Sequence, residues 1–220
     1  MIFKDRADAG RRLAAQLKEY APLRPIIFGI PRGGVIVAHE VARALGAPLC
    51  LAFPRKIGAP GQPELALGAV GDDGSVILDD DLVRQLGVDA KYLKDEVAGQ
   101  LEEVKRRQKL FQTREVALEN RSIVVVDDGV ATGSTIRAAV AALRKRKPAF
   151  IIVAVPVAHP SALRLLKEEA DEVICLYAPE SFAAVGQFYE EFEQVSDDEV
   201  MSIVGEPRGP EGQGGEPSPS

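Results

Sequence analysis

Residues 123–135 constrain this chain more than any other stretch: Ile-Val-Val-Val-Asp-Asp-Gly-Val-Ala-Thr-Gly-Ser-Thr. Four consecutive β-branched residues, Ile123 to Val126, suit a strand buried on both faces, as in a parallel sheet. They stop at two adjacent acids, Asp127 and Asp128. After a turn, an amphipathic run begins with Ile136, Ala139, Val140 and Leu143. The pattern is strand, loop, helix, with Thr132-Gly133-Ser134-Thr135 opening the helix. In open α/β sheets, ligands bind beyond the carboxyl ends of the strands. Backbone N–H groups and hydroxyls at a helix start favour a phosphate. Two carboxylates beside that cup cannot serve the same anion, so their partners are hydroxyls or a hydrated cation. A phosphate with acid-bound hydroxyls beside it describes a ribose 5-phosphate.

Spacing separates this motif from its neighbours. A phosphatase with an aspartyl nucleophile needs its second acid at 129, which is Gly. A Walker A loop needs Lys before Ser or Thr, and Gly133 precedes Ser134. A nucleophile elbow needs Gly at 132 and 136, which are Thr and Ile. A plain capped turn, with Thr132 or Ser134 as N-cap, does not call for an acid pair.

The rest of the chain alternates strands with helices, which gives a parallel sheet covered on both sides. Asp5 caps a helix over about 6–20, and Ile26–Ile30 form a strand after Pro25. The loop Pro31-Arg32-Gly33-Gly34 leads to a helix with Val37, Val41 and Leu45, ended by Gly46. Leu49–Phe53 is a second strand, followed by Arg55-Lys56. Residues 57–75, rich in Gly and Pro, read as a mobile loop or a loose hairpin. A long helix spans 89–112, with Lys105, Arg106, Arg107 and Lys109 on a solvated face. A further strand, Phe150–Val155, ends at Pro156. Pro160–Glu169 is a short helix and Glu172–Leu176 a last strand. Phe182, Val185, Phe188, Tyr189 and Phe192 share a helical spacing that suits core packing. Ser196 to Glu199 is a capping box, and 205–220 is a disordered tail of Gly, Pro, Ser and Glu.

Of 220 residues 46% are hydrophobic and the net charge is −6, so nothing recommends a nucleic-acid groove. No apolar run approaches 18 residues and no N-terminal signal pattern is seen. The expectation is a cytoplasmic protein without membrane contact. Cys50 and Cys175 read as reduced core cysteines. His39 and His159 lack metal-ligand spacing, and no all-protein metal site is expected.

The 123–135 stretch resembles the signature of type I phosphoribosyltransferases: a hydrophobic strand, two acids, a few small residues, then Thr-Gly-x-Thr. The resemblance implies the α/β fold of that family, a parallel sheet with helices on both faces and a small C-terminal hood. Residues 1–204 would form the domain, with a lid at about 57–75 and the hood at about 178–204. Asp127 and Asp128 would bind the ribose hydroxyls of phosphoribosyl pyrophosphate (PRPP) and metal-bound water. Ala131, Thr132, Gly133, Ser134 and Thr135 would wrap its 5′-phosphate. Arg32, Gly33 and Gly34 are similar to the family's pyrophosphate loop, which in purine-salvage relatives holds a non-proline cis peptide, here Pro31–Arg32. Arg55 and Lys56 would neutralise the pyrophosphate, with Arg32 and Lys56 acting in catalysis. Val157 and Phe182 would meet the acceptor. Mg²⁺ is the implied cofactor and a homodimer the implied assembly. Hypoxanthine-guanine members carry an acid just before Thr-Gly, where this chain has Ala131, which argues against a 6-oxopurine acceptor. The reaction implied is phosphoribosyl transfer from PRPP to a nitrogen acceptor, such as a nucleobase. The alternative is a PRPP- or nucleotide-binding regulator without turnover.

Overall fold

Each central strand sends alternate side chains to opposite faces, and both faces are apolar. In strands β1 (Ile26–Gly29) and β6 (Ser122–Val126), Ile26, Phe28, Ile123 and Val125 face one layer, whereas Ile27, Val124 and Val126 face the other. The computed structural model describes residues 2–71, 74–111 and 116–205. Its main sheet is parallel, in the order β2-β1-β6-β7-β8, with β2 at Leu49–Leu51, β7 at Phe150–Val157 and β8 at Glu172–Tyr177. Helices α1 (Arg6–Leu17) and α2 (Gly33–Leu45) cover one face through Leu13, Leu17, Val37 and Val41. Helices α5 (Ser134–Lys145) and α6 (Pro160–Glu169) cover the other through Ile136, Val140, Leu143 and Leu166. The α/β class and the two covered faces follow the sequence pattern.

Strand β1 is the switch point of this sheet, because its chain neighbour β2 lies on one side and β6 on the other. Gly29 of β1 pairs with Val126 of β6, and the Ile30 amide donates to the Val126 carbonyl at 3.0 Å. The loop after β1 and the acid pair after β6 therefore leave the sheet side by side. A crevice at such a point is the ligand position of open α/β sheets.

Within 57–71 the hairpin alternative, not the open loop, is what forms. These residues contribute to a second, antiparallel sheet of β3 (Arg55–Ala59), β4 (Gln62–Val70) and β5 (Val76–Leu78). Ile57, Ala59, Leu67 and Val70 are buried with Val104 of α4 (Ala90–Leu110). Gly68 permits the close approach of β5, since a Cβ there would lie 2.0 Å from the Ile77 carbonyl oxygen. Glycines and prolines mask the alternation in the sequence, although Leu65 and Leu67 keep it. Helix α3 (Asp80–Gln85), capped by Asp79, is a further element beyond the sequence pattern.

Smaller differences have local causes. The first helix stops at Leu17 and continues as a 3-10 turn, Lys18–Leu23, that contains Pro22. Strand β7 runs through Pro156, which lies beyond its last pairing with β6, Val126 to Ala154. The aromatic segment is a single 3-10 turn, Val185–Phe188, not a regular helix. Asp5 and Ser196 cap as expected, through Asp8 N (2.6 Å) and Glu199 N (3.2 Å). The final helix α7 is Asp197–Gly205. The tail from 206 onward lies outside the described residues.

Candidate active site

The helix that follows the acid pair starts without a side-chain cap. Its N-cap is Gly133, at φ +84°, a left-handed conformation suited to glycine. Neither Thr132 nor Ser134 takes the N-cap position; their hydroxyls sit 3.2 Å apart. Ala131, Thr132 and Thr135 are exposed and Ser134 is partly buried. The turn thus offers amides and hydroxyls at the positive end of α5, the arrangement that suits a phosphate.

The acid pair is held from three directions. Asp127 Oδ1 accepts the Asp128 amide at 2.9 Å. Burial, and then the neighbouring Asp128 charge, push the Asp127 carboxyl well above the usual range. Asp128 Oδ2 is paired with Arg6 Nε at 2.7 Å, and both side chains are largely buried. Arg6 lies 3.8 Å over the Phe192 ring and donates to the Glu193 carbonyl at 2.8 Å. The Tyr189 hydroxyl donates to the Asp128 carbonyl at 2.5 Å. Burial, then Asp128, raise the Tyr189 phenol above its ordinary range, so it stays a donor.

The loop after β1 rests directly on the acids. A Cβ on Gly33 would lie 2.0 Å from Asp128 Oδ2, and one on Gly34 would lie 2.8 Å from Asp127 Cα. Close approach of backbone requires glycine at 34, whereas a Cβ at 33 would displace the Asp128 and Arg6 side chains. The Pro31–Arg32 peptide is cis, as the resemblance implied. Arg32 is exposed, 3.9 Å from Asp197 at the start of α7.

Beside this loop lies a cavity of about 340 Å³. Ile30 and Pro31, Arg55 and Lys56, and Thr135 of the phosphate turn all line it. Pro31 of the cis-peptide loop, the basic pair and Thr135 of the phosphate turn therefore open onto one space, whereas Arg32, Gly33, Gly34, Asp127 and Asp128 are not among its lining residues. Helix α4 adds Glu96, Gln100 and Arg107 to its wall. Arg55 Nε donates to Gln100 Oε1 at 2.8 Å, and Gln100 Nε2 donates to Glu96 Oε1 at 3.0 Å. Arg55 is shifted below its ordinary value, by desolvation first and then by the nearby Arg107 charge.

The two acceptor candidates are placed differently. Val157, expected against the acceptor, is fully buried with Phe3, Phe188 and Tyr189. With Val185 it closes over Gly129, where a Cβ would meet Val185 at 2.4 Å and Val157 at 3.0 Å. It is core, not an accessible wall. Phe182 is partly buried, edge-on to His159 at 5.8 Å. His159 itself caps α6 by accepting from Ser161 N at 3.1 Å.

Arg6, Tyr189, Gln100, Arg107 and Asp197 lie at the candidate site, and the sequence analysis assigned none of them to it. Arg107 in particular does not sit on a purely solvated face. Glu96, Gln100, Glu103 and Arg107 fall at helical spacing i, i+4, i+7 and i+11, a polar stripe that was legible. Arg6 gave no such signal, because its partner is 122 residues away. Among the described residues no group of three or more His, Cys, Asp or Glu could hold a metal. Among them, too, no helix is long and apolar enough to cross a membrane.

Comparison with known proteins identifies the family. The family model described as "Phosphoribosyl transferase domain" matches residues 2–193. The chain is 43% identical over 205 residues to two Mycobacterium tuberculosis proteins, of strains CDC 1551 and H37Rv, provisionally named phosphoribosyl transferases. That match covers 92% of this chain and 46% of each relative, so the chain spans about half the length of the curated relatives it matches. The crystal structure of TT1426 from Thermus thermophilus superposes with a TM-score of 0.84 at 45% identity, covering 93% of this chain and 98% of that one. The AQ2163 protein of Aquifex aeolicus shares the fold, with a TM-score of 0.50 at 13% identity, covering 82% and 78%. The chain belongs to the phosphoribosyl transferase family.

Proposed function

We propose that this protein transfers the 5-phosphoribosyl group of PRPP to a nitrogen acceptor and releases pyrophosphate. The observation that carries the reading is the shared cavity, onto which the cis-peptide loop, the basic pair of β3 and Thr135 all open. In this reading residues 131–135 wrap the 5′-phosphate and Asp127 and Asp128 accept from the ribose hydroxyls. The carbon–oxygen bond at C1 breaks, and its electron pair leaves with the pyrophosphate. Positive charge builds on the ring, and the acceptor nitrogen supplies its lone pair to C1. The protein's main task is to stabilise the departing negative charge. Arg32, Lys56, Arg55 and the amides at Gly33 and Gly34 do so, at about 2.7–4 kcal/mol per well-aimed donor.

Two adjacent carboxylates, with no larger acidic or imidazole cluster among the described residues, suit Mg²⁺, which keeps several waters and takes substrate phosphate oxygens. Bound with PRPP, the ion would offset charge on the leaving group. A nucleobase is the acceptor class proposed, with Phe182 as a candidate contact, and Ala131 disfavours one that needs a carboxylate base.

The test is a panel of purines, pyrimidines and small amines incubated with PRPP and Mg²⁺, scored by pyrophosphate release. Release with one acceptor, and none without it, is the expected result. PRPP binding with no release across the panel would instead identify a regulator that has kept the pocket.

A further inference from the structure

Helix α4 brings to the cavity a cation that neither the signature motifs nor the resemblance assigns. Arg107 lines the same space as Arg55 and Lys56. The helix is fixed against β3 by two hydrogen bonds, Tyr92 hydroxyl to the Gly58 carbonyl at 3.0 Å and Arg55 to Gln100 at 2.8 Å. Val104, Val97 and Leu101 of the same helix pack in one cluster with Ile57 and Leu67. The guanidinium is thus delivered by a packed element.

The described lining residues include three basic side chains, Arg55, Lys56 and Arg107. Glu96 is the only carboxylate among the described lining residues, and it is hydrogen-bonded to Gln100. Glu103, just outside, is shared by two arginines: Arg106 binds it with two nitrogens at 2.7 and 2.9 Å, and Arg107 Nε reaches it at 2.9 Å. One acid therefore serves two cations, and the Arg107 charge acts against that of Arg55 while Glu103 and Glu96 act the other way. Like charges gathered on one cavity wall are stabilised by a polyanion between them, and guanidinium forks suit phosphate oxygens.

We propose that Arg107 is a third cation of the pyrophosphate site, presented by α4 beside Arg55 and Lys56; this rests on the transfer reaction proposed above. Gln100 acts as a positioning residue, since its side-chain oxygen fixes the Arg55 fork. The ribose phosphate end, held by 127–135, is left to other residues. Arg107 should thus distinguish the two halves of PRPP.

The experiment is calorimetric titration of the full chain with inorganic pyrophosphate and, separately, with ribose 5-phosphate, both with Mg²⁺. Arg107→Gln should weaken pyrophosphate by about 10- to 100-fold, the range of one charge-assisted contact. It should leave ribose 5-phosphate within about twofold, and Arg107→Lys should restore part of the loss. As a check that needs no variant, pyrophosphate but not ribose 5-phosphate should protect Arg107 from an arginine-directed dicarbonyl, read by peptide mass spectrometry. Unchanged pyrophosphate affinity in Arg107→Gln, or equal loss for both ligands, overturns the assignment and leaves the transfer reading standing. A native protein that binds neither ligand overturns both.

Discussion

Asp127 resists ionisation in the free protein, first because it is buried and then because Asp128 is next to it. A carboxyl raised in the folded state binds its proton more tightly there than in the unfolded chain. Unfolding stability therefore falls as pH rises from about 3.9, the unfolded value, to the raised folded value, and then levels. Asp127→Asn removes that decline and keeps an acceptor for the Asp128 amide. The variant should melt a few degrees higher than the native chain at neutral pH. The gap should close as pH falls into the ordinary carboxylate range, as followed by circular dichroism. A gap independent of pH would mean that Asp127 is not held against its charge. The same residue shows what the sequence could reveal. The acid pair and the Thr-Gly-Ser-Thr turn are contiguous, so their chemistry could be read directly. Arg6 and Tyr189 act on Asp128 from 122 and 61 residues away, and no local pattern joins them.

Among elements, the turn from β1 into α2 is held by close approach. At Gly34 an added Cβ would meet Asp127 Cα at 2.8 Å, which is backbone and cannot swing away. Gly34→Ala should cost about 1–3 kcal/mol of stability in a denaturant titration. It should also weaken PRPP, because the acid pair must shift. A stable Gly34→Ala protein with native PRPP affinity would show that the loop and acids do not depend on each other. The long strands and helices of the main sheet were legible because their hydrophobic periods are strong and their lengths ordinary. Strands β3 and β4 were legible only as a loose hairpin or a mobile loop, and helix α3 was not legible. Glycine and proline obscured the alternation, and their burial depends on α4, whose contribution the local sequence does not carry. The hood aromatics carried a helical spacing, yet tertiary packing around Phe188 and Tyr189 folds them as an irregular segment.

At the scale of the whole molecule, the sheet order brings the loop after β1 and the turn after β6 to one edge. The smaller antiparallel sheet and α4 meet that edge with Arg55, Lys56 and Arg107. The C-terminal residues add further contacts, through Tyr189 on Asp128 and Asp197 near Arg32. Fold class and the sheet's parallel core could be read from the alternation of elements. The joining of the three site segments could not, because it follows from strand order and not from spacing. In the proposed reading a ribose phosphate docks where Val126 gives way to the acid pair. The decisive measurement is a titration of PRPP with Mg²⁺ into the native chain and into Asp127→Ala and Asp128→Ala. Loss of about 1.5–3 kcal/mol of binding in each variant is predicted, the contribution of a charged hydrogen bond. Native affinity in both would contradict it.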